Sequence, residues 1–228
     1  MQPSMRPVGI VALVAAVWLV LGNVTHPIGS TDLYTDGVAF VEHTGTYWVV
    51  NHVLLAVALL VTPWLAWAWR ERLTSDAGRM WGTFGVILVV MGSVFSVFHL
   101  GGIDGVALPA YAEVLETADA GAAVGAEALM KVHLASITAW SVILWGGAQL
   151  TVGVTEVLEG RRPGLGWLLV VCGLLGFAFA VAVTLEGHLT GFSDGVLLRG
   201  ATVGFTVWFI WTAWELYHSP TAVHTVGA

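Results

Sequence analysis

Charge is what this chain has least of. Only 10% of its 228 residues are Asp, Glu, Lys or Arg, against roughly 25% in soluble domains. The eight Lys and Arg are outnumbered by fifteen Asp and Glu, leaving a formal net charge of −7. Nucleic acid is therefore not an expected partner, because it calls for a basic face. Cysteine is almost missing as well. Cys172 is the one copy, so an intramolecular disulfide and a cysteine-rich metal site are excluded. Cys172 itself lies in an apolar run and reads as a small packing residue. The sequence has no HExxH and no Cys-x-x-Cys-His. It has no phosphate loop and no recognisable nucleophile triad, and no segment is polar enough for a separate soluble domain.

What remains is apolar. Hydrophobic residues make up 57% of the chain and mean hydropathy is +0.83. A bilayer core of about 30 Å needs roughly 20 such residues per helix. Six segments qualify: 8–25, 47–69, 80–100, 127–153, 164–186 and 196–217. The first follows Arg6 and ends in "NVTHP" without a small-x-small cleavage site, so it is expected to be retained as a helix. The expected fold is an all-α integral membrane protein, a single membrane domain over 1–228 in contact with the lipid bilayer.

The few basic residues orient it. Arg6, Arg70, Arg72, Arg79, Arg161 and Arg162 fall before helix one or in the two-to-three and four-to-five links. The stretches 26–46, 101–126 and 187–195 hold no Lys or Arg, but carry Asp32, Asp36, Glu42, Asp104, Glu113, Glu116, Asp119 and Asp194. The positive-inside rule then places both termini in the cytoplasm of a multi-pass cytoplasmic-membrane protein. The six helices become three outward-facing hairpins. The stretch "AYAEVLETA" is expected to add a short surface helix in the second outer loop.

The hairpins resemble one another. "THPIGSTD" carries His26, Gly29 and Asp32. "VFHLGGIDG" carries His99, Gly102 and Asp104. "GHLTGFSDG" carries His188, Gly191 and Asp194. Each rising helix is expected to end at its histidine, with the glycine as C-cap and the aspartate in the following turn. His52 and His133 are expected in the first turns of the returning helices, with Arg199 at the matching place in the third. A degenerate threefold repeat follows, and sites in membrane folds tend to lie between repeats.

Taken singly, each motif is ordinary helix capping. Together, His26, His52, His99, His133 and His188 share one layer near the outer face. Ionisable residues within membrane segments are expensive and usually functional, and imidazole is the commonest metal ligand near neutral pH. The expected cofactor is haem b, clamped between histidines, or a Cu, Fe or Zn ion. Candidate cofactor contacts are those five histidines and Arg199. For a metal ion the candidate ligands are His52, His99, His133, His188 and Glu186, supported by Asp32, Asp104, Asp194, Ser96 and Lys131. Ser93, Ser96 and His99 form one stripe, and His133, Ser136 and Trp140 another.

Twelve tryptophans are present. Trp64, Trp67, Trp69, Trp211 and Trp214 read as an interfacial belt, whereas Trp18, Trp140, Trp145 and Trp208 fall deeper. Three functional classes are expected in turn. The first is a redox or electron-transfer metal protein, with quinone or a redox protein as partner. The second is a transporter for protons, metal ions or a small solute, with Gln149, Glu156 and Glu215 as inner steps. The third is a non-catalytic membrane subunit whose histidines are structural.

Overall fold

The computed structural model describes residues 5–25, 37–115, 120–187 and 192–218. The described residues are almost entirely helical, with short turns between helices. The elements are α1 (Arg6–Thr25), α2 (Gly37–Leu59), α3 (Thr62–Arg70), α4 (Asp76–Val97), α5 (Leu108–Leu115), α6 (Ala120–Trp140), α7 (Gln149–Glu159), α8 (Pro163–Glu186) and α9 (Arg199–Tyr217). Three π-helical segments are described: Phe98–Ala107 runs from α4 into α5, Ser141–Ala148 from α6 into α7, and Ser193–Leu198 leads into α9.

Six helical stretches are long and apolar enough to cross a membrane: Arg6–Thr25, Gly45–Arg70, Asp76–Ala110, Ala128–Glu159, Pro163–Glu186 and Gly195–Tyr217. The chain is thus a multi-pass helical protein whose outer surface suits lipid. Val14, Val17, Ile87, Val94, Val171 and Leu185 all project outward and exposed. The side chains packed inside are no more apolar than those outside, as expected where lipid replaces water.

The helices end where local chemistry demands it. Pro163 opens α8, where its missing N–H is no loss. Gly160 and Gly187 close α7 and α8 in the left-handed conformation, at φ 64° and 71°, which costs glycine nothing. Ser75 caps α4 by accepting from the Gly78 N–H. α1 packs on α9 and α2, α8 packs on α7 and α9, and α4 lies against α3 and α7. Between α7 and α8 the backbones nearly touch: a Cβ on Gly153 would stand 2.7 Å from the Gly166 carbonyl oxygen. Small residues permit such approaches in membrane bundles.

Several expectations change here. The helix bearing His99 does not stop at Gly102. It runs on through the first π-helical segment into α5, and Gly102 is not among the positive-φ glycines. In lipid an unpaired backbone group is costly, so continuing the helix in π form keeps those carbonyls bonded. α6 starts at Ala120, ahead of the expected 127, so His133 sits well inside it rather than in its first turn. The alanine-rich "AGAAVGAEALMK" is strongly helix-forming, which accounts for the extension. α2 likewise begins at Gly37 and bends at Gly45. α5 is only partly a surface helix, since Leu108 and Ala112 are buried. Trp69 is completely buried rather than interfacial, and Trp18 is 43% exposed rather than deep.

Candidate metal centre

The first π-helical segment determines the site. Five residues along an α-helix turn by about 500°, which would leave Asp104 roughly 140° around the helix from His99. The i→i+5 pattern of a π-helix instead returns the fifth residue close to the starting face. His99 and Asp104 are therefore both inward and buried, at 1% and 3% exposure. The His99 Nε2 stands 3.3 Å from Asp104 Oδ2.

Two more histidines approach the same carboxylate from other helices. His133, on α6, places Nδ1 3.0 Å from Asp104 Oδ1. His52, on α2, places Nε2 3.6 Å from Asp104 Oδ2. The His99 and His133 rings stand 4.7 Å apart, centre to centre. One ligand atom from each of His99, Asp104 and His133 fits within a mutual distance of 4.8 Å. His52 and His133 are as thoroughly buried as the other two.

Orientation matters more than distance. His133 Nδ1 and Asp104 Oδ1 lie at ion-pair separation, yet neither makes an aligned hydrogen bond. His52 is oriented from behind. Its Nδ1 lies 2.8 Å from the Trp48 carbonyl oxygen. A carbonyl only accepts, so Nδ1 carries the proton, and in the neutral ring the Nε2 lone pair faces Asp104. A backbone acceptor behind a histidine is the usual support of a metal ligand. The Trp48 indole N–H in turn donates to the Asp104 carbonyl oxygen at 2.9 Å. Trp48 thus ties α2 to the π-helical segment and contacts both His52 and Asp104 through their hydrogen bonds. A small apolar cluster of Trp48, Ile103, Leu108, Ala112 and Met130 packs over this end.

The remaining candidates are distributed elsewhere. Ser96 is buried, but its hydroxyl donates to the Gly92 carbonyl of its own helix at 2.7 Å. Glu186 ends α8 on an exposed turn, and Lys131 is exposed on α6. Arg199 begins α9, half-buried. His26, Asp32 and His188 lie outside the described residues, and Asp194 is described only as part of the third π-helical segment.

At the opposite end of α4 lies a second buried polar group, built on Glu156, one of the inner steps the sequence offered, and on Arg162, which it did not. Glu156 on α7 is 1% exposed and Arg162, just before α8, is 7% exposed. The two form a two-pronged ion pair, with Arg162 Nε donating to Glu156 Oε2 at 3.0 Å and Nη2 donating to Oε1. The Trp69 indole donates to Glu156 Oε1 at 2.6 Å. Glu215 extends the network to Arg161 at 2.8 Å and to Arg72 at 3.5 Å. Arg72 lies between the spans, and partial burial lowers its pKa from the ordinary value while Glu215 opposes that shift. Sequence position gave one hint, since the Glu156–Arg162 spacing brackets the Gly160 turn.

Between the two ends runs a series of aromatic rings. Centroid separations are 5.7 Å from His99 to Trp140 and 5.2 Å from Trp140 to Trp145. They are 5.0 Å from Trp145 to Phe205, 5.8 Å from Phe205 to Trp208 and 6.1 Å from Trp208 to Trp69. No protein-family model, curated protein or solved structure matches the chain.

Proposed function

We infer that the chain is a membrane metal protein in which His99, His133 and Asp104 hold a first-row transition ion, with His52 as fourth ligand. The observation that carries this is the convergence of three buried donors, from His99, Asp104 and His133, within 4.8 Å of one another, with His52 Nε2 3.6 Å from the same carboxylate. A buried carboxylate beside three imidazoles could also be a plain ion pair, with one histidine protonated. An ion pair would favour a short aligned N–H···O contact, and the His133–Asp104 geometry lacks one. Mixed nitrogen and carboxylate ligands suit Zn(II), Fe(II) or Cu(II).

A bare ion fits His99 and His133 better than haem b does. Two axial bonds of about 2 Å, added to the imidazole ring radii, require a wider separation than the 4.7 Å between these rings.

A redox role for the ion draws support from the aromatic series that links His99 to Trp69. Quinone or a redox protein is then the partner class. The basic residues Arg70, Arg72, Arg79, Arg161 and Arg162 share the end remote from His99, so that end faces the cytoplasm under the positive-inside rule. The repeat has one supporting feature. Asp104 and Asp194, at matching places in their motifs, both fall in π-helical turns.

Cobalt(II) titration of chelator-treated protein tests the site. Visible d–d bands that saturate at one ion per chain, and are lost in Asp104→Asn, are expected. Saturation unaffected by Asp104→Asn, or no band at all, contradicts the assignment.

A further inference from the structure

Below the metal centre, α6 and its continuation carry a second pattern that metal binding does not use. His133 is followed on the inward face by Ser136, Trp140, Ser141, Trp145 and Gln149, at steps of three, four, one, four and four. All are at least nine-tenths buried. Ser136 Oγ, Trp140 Nε1, Ser141 Oγ, Trp145 Nε1 and Gln149 Oε1 each lack a hydrogen-bond partner among the described residues. Two facing helices add Ser93 Oγ from α4 and Trp208 Nε1 from α9, buried and unpartnered alike. Gln149 and Trp208 also border one small, partly open pocket with an apolar accessible wall that includes Val89 and Phe205.

Scattered unpaired groups would mean little. Here they form one stripe that runs down α6 and the second π-helical segment from Ser136 to Gln149. Donors and acceptors are mixed along it: indole N–H groups only donate, the amide oxygen only accepts, and the hydroxyls do both. Buried polar groups are nearly always satisfied, and water satisfies those that protein does not. An unpaired group in a membrane interior is costly, so dry packing of seven of them along one face would be strongly unfavourable.

We propose that this stripe binds a file of water, forming a blind hydrated track that opens at the His–Asp cluster and ends at Gln149 and Trp208. The far end is closed by Trp69, whose edge meets Trp208 and whose indole is held by Glu156. The track holds water against the cluster from within the bundle and does not cross the membrane. It stands on the unpaired side chains and does not require a bound ion.

The test is hydrogen exchange of the indole N–H groups in the full-length protein, 15N-labelled at tryptophan and held in lipid nanodiscs. Trp140, Trp145 and Trp208 are compared with Trp69 and Trp48, which are equally buried but bonded to Glu156 and the Asp104 carbonyl. The track predicts exchange about tenfold or more faster for the first three than for the last two. Equal protection of all five overturns it. Assignment by single Trp→Phe variants carries a folding risk, so a second readout uses unaltered protein. Hydroxyl radicals generated by X-ray radiolysis are expected to label Trp140 and Trp145 from bound water while sparing Trp69. Labelling no greater than that of Trp69 also overturns the track.

Discussion

The two buried polar groups at the ends of this bundle are built from similar materials and differ in how they are satisfied. At one end Glu156 receives hydrogen bonds from Arg162 and Trp69 on both carboxylate oxygens. At the other, Asp104 receives three imidazoles at 3.0 to 3.6 Å, and its Oδ1 has no aligned donor. Burial is equal, so burial does not separate structure from function here. Saturation does. A carboxylate with every lone pair engaged is a cross-link between helices. Under the assignment proposed above, Asp104 and its imidazoles would instead share an ion.

Removing one partner at each end is the strongest way to test that contrast. Glu156→Ala removes the two-pronged partner of buried Arg162 and leaves it only the 3.5 Å contacts to Glu215 and Thr212; breaking comparable buried pairs costs about 3–5 kcal/mol. A large fall in thermal unfolding temperature in detergent is expected, with metal content per folded chain unchanged. Asp104→Asn should do the reverse. Metal content falls at least about tenfold, as when supporting or ligating groups are lost, while the metal-free protein unfolds near the wild-type temperature. If Asp104→Asn destabilises the metal-free protein as much as Glu156→Ala does, the two ends are alike and the contrast fails.

A third variant addresses the backbone. Deleting Gly101 should relax the π-helical segment towards α-helix and rotate Asp104 away from His99. Metal binding is expected to vanish while the membrane-inserted fold persists, as judged by circular dichroism and elemental analysis. Retained binding would separate the site from its π-turn. A smaller effect is expected for Trp48→Phe, which loses the indole bond to the Asp104 carbonyl at about 1 kcal/mol. Its cobalt affinity should weaken by severalfold in the same titration. Glu186→Gln marks the lower limit, with no change in metal content, because Glu186 is exposed at the end of α8.

Hydropathy alone located the six apolar spans, because lipid imposes length and composition on any helix that crosses it. The shared depth of His52, His99 and His133 was legible for the same reason, since depth follows from distance along a helix. Facing was not. Gly101 and Gly102 looked like a helix stop, and only the π-helical continuation makes Asp104 a neighbour of His99. No residue preference announces a π-turn, and the need to keep backbone groups bonded in lipid overrides the glycine signal. Arg162 looked like one loop charge among several. Its burial depends on α7, α8 and α9 meeting around Glu156 and Thr212, which no local pattern encodes. Trp69 was grouped with Trp64 and Trp67 by sequence, yet it points inward where they point to lipid.

The most direct test of the central claim is elemental analysis with a visible spectrum, on protein purified without chelators and beside its Asp104→Asn variant. The account predicts close to one Fe, Cu or Zn per wild-type chain, no haem Soret band, and little metal in the variant. Metal-free wild-type protein that also binds none when supplied with all three would contradict it.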